Sequence, residues 1–106
     1  MGTKRLCGEA RIMDAQGNIL IHDKNALIVL QRDAANNFTW SAKMEQMGIG
    51  VSAFGIPGVT YTLQFSNSNW RLTGTVSVPG FHGNRGHVSV QAKGQGVPAG
   101  VNPSTV

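Results

Sequence analysis

His82 and His87 bracket the stretch Gly83-Asn84-Arg85-Gly86, with Phe81 directly before them. Two imidazoles at that spacing can supply half of a zinc or copper coordination shell. The remaining ligands would have to come from elsewhere in the chain. The only cysteine is Cys7, so a cysteine-built zinc site and an intrachain disulfide are both excluded. The sequence therefore predicts no metal and no cofactor. The same stretch suits an anion, held by glycine amides and Arg85, with Phe81 free to stack on a base or sugar. A plain hairpin connection with solvated histidines is the preferred account of these residues. A second candidate surface consists of Thr60, Thr62, Thr73 and Thr75, which form a weakly charged hydroxyl lattice if the two strands that carry them pair.

Catalysis finds less support. The carboxylates are Glu9, Asp14, Asp23, Asp33 and Glu45, and the middle three lie in turn sequences, where an aspartate bonds its own backbone. Gly48-Ile49-Gly50 lacks the following helix and Lys-Ser or Lys-Thr of a phosphate loop. With no nucleophile, base and orienting group identifiable together, the chain reads as a non-enzyme.

What positions these residues is a series of short alternating runs. Val59, Tyr61, Leu63 and Phe65 alternate with Thr60, Thr62 and Gln64. Trp70, Leu72, Val76 and Val78 alternate with polar residues, and Gly74 fills the one gap in that apolar series. Folding back at Ser66-Asn67-Ser68-Asn69 predicts Phe65 opposite Trp70, Leu63 opposite Leu72, Tyr61 opposite Gly74 and Val59 opposite Val76. Pro79 to Gly86 reads as a loop. Val88, Val90 and Ala92 then form a third strand, with Val78 against Val88, Val76 against Val90 and Ser77 beside Ser89. On that pairing the Tyr61 ring covers Gly74.

Earlier in the chain, Gly8 to Met13 and Ile19 to Ile21 read as strands around the turn Asp14-Ala15-Gln16-Gly17-Asn18, and His22 to Asn25 reads as a further turn. Ala26-Leu27-Ile28-Val29-Leu30 is continuously apolar, which predicts burial on both faces or a contact between subunits. Residues 39–47 fit a strand, with one short helix as the alternative. Val51 to Phe54 and the turn Gly55 to Gly58 precede the hairpin.

These runs predict an all-β domain over residues 1–93, an antiparallel β-sandwich or small barrel of about seven to eight short strands. Residues 94–106, with Gly94, Gly96, Pro98, Gly100 and Pro103, read as a flexible Gly/Pro-rich tail. Asp14 to Leu20 and Phe54 to Phe65 resemble the Asp-x-x-Gly turn and the Pro-Gly-x-Tyr-x-Leu strand of carboxypeptidase-regulatory-like, transthyretin-like domains. That resemblance implies a sandwich.

Nine basic and five acidic residues in 106 give a net charge of +4 and a sparsely charged chain. Low charge suits a surface partly covered by other chains. The expected function is thus a non-enzymatic binding or assembly module, self-associating or docked to other protein subunits, as in a larger particle. The alternative is a basic nucleic-acid-binding domain using Arg71, Arg85 and Lys93 with Trp40 or Phe81. No signal peptide or membrane-spanning run is visible, which predicts a protein that is cytoplasmic or assembled into a particle, without membrane contact.

Overall fold

The alternating runs become six antiparallel strands in the computed structural model, which describes residues 2–47, 59–84, 87–102 and 106. They are β1 (Gly2–Met13), β2 (Ile19–Arg32), β3 (Phe38–Met47), β4 (Thr60–Ser66), β5 (Arg71–Asn84) and β6 (His87–Ala99). Their order around a closed barrel is β1-β2-β3-β6-β5-β4. Two three-stranded meanders, β1-β2-β3 and β4-β5-β6, are thus joined by β3 against β6 and β1 against β4. Paired residues followed from Arg5 through Val29, Ser41, Lys93 and Ser77 to Thr60 lead back to β1 beyond Met13, so the strands are steeply tilted. Among the described residues no helix is long and apolar enough to cross a membrane.

The prediction of an all-β sandwich or small barrel resolves to the barrel, and residues 38–47 form a strand, without the alternative helix. Fewer, longer strands replace the expected seven to eight. The predicted turn at His22–Asn25 is a bulge inside one continuous β2, where Lys24 and Asn25 stand opposite the single residue Glu9. Asp23 still behaves as a turn aspartate. Its Oδ1 accepts the Asn25 N–H at 2.8 Å, while Oδ2 accepts the Glu45 N–H of β3, also at 2.8 Å. The predicted loop at Pro79–Gly86 is likewise mostly strand. β5 continues to Asn84, and Pro79 falls in an irregularity between Ser77 and Gly80, one of the few places a sheet accepts proline. The expected strand at Val51–Phe54 and the turn Gly55–Gly58 lie outside the described residues.

The β4–β5 hairpin keeps its predicted inner face but moves by two residues. Phe65 pairs with Leu72, Leu63 with Gly74 and Tyr61 with Val76. Asn67 sets this register. Its Oδ1 accepts the N–H groups of Asn69 (2.8 Å) and Trp70 (2.7 Å), and its own N–H donates to the Trp70 carbonyl at 2.9 Å. The turn therefore closes on 67–70, and Trp70 leaves the ladder to sit half-buried beneath the Lys4 ammonium, 5.0 Å from the ring centroid. An even shift preserves side-chain parity, so Tyr61, Leu63, Phe65, Leu72 and Val76 all remain buried.

Inside the barrel these five meet Ile12, Ile21, Ile28, Leu30, Met44 and Val90, packed around Trp40. The indole of Trp40 occupies a slot cut by glycine. A methyl group on Gly74 would come within 2.5 Å of the ring, and one on Gly94 would overlap it outright. Pro98 closes the slot, and the indole N–H donates to the Gly96 carbonyl at 3.1 Å. Aromatic cover of Gly74 is thus real, but Trp40 supplies it in place of Tyr61. The same slot corrects the predicted tail. Residues 94–99 belong to β6, where Gly96, Val97 and Pro98 bow out opposite Gly74, and among the described residues Pro98 and Val106 are buried.

The β1–β2 and β2–β3 connections are one loop used twice. Asp14 accepts the N–H groups of Gln16 and Asn18 on Oδ1, each at 2.9 Å, and Asp33 does the same for Ala35 and Asn37. Gly17 (φ 85°) and Asn36 (φ 65°) take the equivalent left-handed position. A methyl group on Gly17 would touch nothing, so the backbone angle alone decides its tolerance. Gly17→Ala is expected to cost about 1 kcal/mol, whereas Gly17→Asn copies the sister loop and stays near wild type in urea unfolding. The hydrogen bonds hold both carboxyls below the ordinary value of 3.8, mainly through the Asn18 side chain at Asp14 and the Asn37 N–H at Asp33. Their stabilising contribution is complete above that value and fades as pH falls through the lowered one. Replacing both by Asn should flatten the acid limb of a stability–pH curve.

Candidate functional site

Strand parity divides the outer surface into two working faces. On β4 and β5 the outward residues are polar, and Thr62 pairs with Thr75, Gln64 with Thr73 and Ser66 with Arg71. Thr60 lies opposite Ser77, and Ser77 pairs with Lys93, in place of the predicted Ser89. The hydroxyl lattice of Thr60, Thr62, Thr73 and Thr75 therefore exists in a shifted register. It continues onto β1, where Arg11 pairs with Gln64 and Met13 with Thr62. Below it lies a depression of about 350 Å³ lined by Glu9, Arg11, Gln64, Arg71 and Thr73. Glu9 is engaged within it, accepting from Arg11 at 3.1 Å with His22 Nε2 at 3.5 Å.

The other face lies on β2, β3 and β6. Ala26, Ile28 and Leu30 turn into the core, which leaves Leu27 and Val29 half-buried on the outside. The continuously apolar run is explained by this second face. Arg5 pairs with Val29, Val29 with Ser41 and Ser41 with Lys93. In the neighbouring row Leu27 pairs with Lys43 and Lys43 with Gln91. Together with Gln31, Thr39 and Pro79 these residues line a groove of about 630 Å³. Its aliphatic centre is bracketed by three cations, Arg5 on one side and Lys43 and Lys93 on the other. No carboxylate is among the described residues that line it. None of the three cations is ion-paired to a described residue.

The stretch around the two histidines falls partly within the described residues. Phe81 pairs with Val90, His82 with Ser89 and His87 with Asn84, which places all three on the last rungs of the β5–β6 ladder. Arg85 lies outside the described residues, as do the side-chain surroundings of Phe81, His82 and His87. Among the described residues no three His, Cys, Asp or Glu side chains converge as a metal site would require.

Two residues of the predicted nucleic-acid surface prove separate. Arg71 lines the polar depression and Lys93 the groove. Trp40, 2% exposed with its N–H engaged, presents no ring for base stacking. Conversely, Arg5, Leu27, Val29 and Lys43 were not singled out as a site by the sequence. The one signal was the unexplained second face of Ala26–Leu30. No protein-family model matches the chain, and no curated protein or solved structure matches it.

Proposed function

We propose that this chain is a non-enzymatic assembly module that joins protein subunits through the outer face of β2, β3 and β6. The observation that carries the reading is the groove at Leu27 and Val29, where aliphatic side chains lie on the outside of a barrel whose core is already filled. Copies that meet through this face bring like charges together, so salt strengthens their association by screening. Sedimentation velocity provides the test. Wild-type protein should associate as concentration rises in about 0.5 M salt, where the screening length is only several ångströms, and Val29→Lys should sediment as a monomer throughout. A wild-type monomer in every buffer would exclude copies of this chain as the joined subunits, and a monomer whose groove also takes no other protein segment would contradict the proposal.

The three cations favour a second reading, a nucleic-acid surface. Three phosphate contacts on a single strand imply a log–log salt slope of roughly −2. Oligonucleotide affinity that is absent, or flat with salt, removes it.

A further inference from the structure

We propose that the groove on β2, β3 and β6 binds a short acidic segment of a partner protein, with carboxylates on Arg5 and on Lys43 and Lys93 and apolar side chains on Leu27 and Val29. This deepens the assembly reading and rests on it, because it names what the docking face accepts. The first support is charge. Three cations converge on one groove that has no carboxylate among its described lining and no ion-pair partner among the described residues. At low salt such a surface disfavours a second copy of itself and attracts an anionic segment.

The second support is the arrangement of polar and apolar positions. Arg5 and Lys93 are three strand spacings apart along a single row of paired residues, with Val29 and Ser41 between them. At about 4.8 Å per spacing their backbone positions lie roughly 14 Å apart measured along the curved sheet, the length of about four residues of extended chain laid over it. A segment with acidic residues at both ends and apolar residues in its middle matches this order. Nucleic acid matches it less well. Single strands are held by stacking on exposed aromatic rings, and the lining tryptophan, Trp40, is turned inward with its N–H engaged. Leu27 and Val29 would face phosphates and gain nothing.

The probe is a fluorescent, end-blocked hexapeptide in which Leu-Ile is flanked on each side by two acidic residues, titrated at low salt against full-length protein. Wild type should bind saturably. Arg5→Glu with Lys93→Glu, and separately Leu27→Ser, should each weaken binding at least tenfold while thermal unfolding stays cooperative. The charge-reversed variant keeps the test valid if Leu27→Ser fails to fold. Peptide binding that never saturates, or that survives charge reversal, overturns the proposal. A twelve-residue oligothymidylate that binds more tightly than the peptide and ignores Leu27→Ser overturns it in favour of nucleic acid. If the peptide fails while wild type still associates in high salt, the partner chemistry is wrong and the docking face stands. If both fail, the assembly reading falls as well.

Discussion

Trp40→Ala should destabilise the barrel by about 3–5 kcal/mol, the range for removing a buried large aromatic side chain. A domain of this size has only about 5–15 kcal/mol of net stability, so the variant is expected to be partly unfolded at room temperature or to melt well below wild type. The magnitude follows from position. The indole lies where β5 and β6 each present a glycine, so those two positions offer no side chain to fill the space it leaves. Its N–H also holds the bowed backbone at Gly96. Guanidinium unfolding followed by far-ultraviolet circular dichroism measures the loss. A midpoint within about 1 kcal/mol of wild type would show that the slot collapses freely, contrary to the packing described.

Gly94→Ala should fail for the reciprocal reason. The added methyl group overlaps the indole, and relief requires the ring or the β6 backbone to shift, a strain of about 1–3 kcal/mol. The diagnostic result is the double variant. With Trp40→Leu the slot has room, so Gly94→Ala should cost much less in that background than alone, a coupling that a double-mutant cycle reads directly. Gly96→Ala provides a contrast. A methyl group there meets nothing, and its penalty comes from the left-handed backbone angle of 66° and not from a clash with the indole.

Glycines 74, 94 and 96 also show where sequence reasoning reaches its limit. Gly74 was legible as a gap needing an aromatic cover, because a hole in an alternating apolar series is a local signal. That Trp40 covers it was not, because β3 reaches β5 only through β6, and that pairing joins residues some fifty positions apart. Gly94, Gly96 and Pro98 looked like a tail for the same reason. Their composition is that of disorder when their partner is out of sight. Local chemistry read well throughout: Asp14, Asp23 and Asp33 all bond nearby backbone as turn aspartates do. At Asp23 the same bond formed a bulge, since pairing of Ala10 with Asp23 resumes the ladder beyond it. The hairpin's inner face was legible from alternation alone, whereas its register depended on the Asn67 side chain choosing turn 67–70.

For the candidate site the balance is similar. Lys93 and the hydroxyl lattice were visible in sequence, and so was the excess apolar surface at Ala26–Leu30. The groove was not, because it brings Arg5 of β1, Leu27 and Val29 of β2, Lys43 of β3 and Lys93 of β6 together through three separate registers. The row that leads from Arg5 through Val29 and Ser41 to Lys93, and so gives the groove its ligand class, is a property of the barrel's registers.

Amide chemical-shift mapping with the acidic hexapeptide tests that claim most directly. Saturable shifts confined to Arg5, Leu27, Val29, Ser41, Lys43 and Lys93 are predicted, with Thr62, Thr73 and Thr75 on the opposite face unmoved. Shifts centred on those threonines, or none at millimolar peptide, would contradict it.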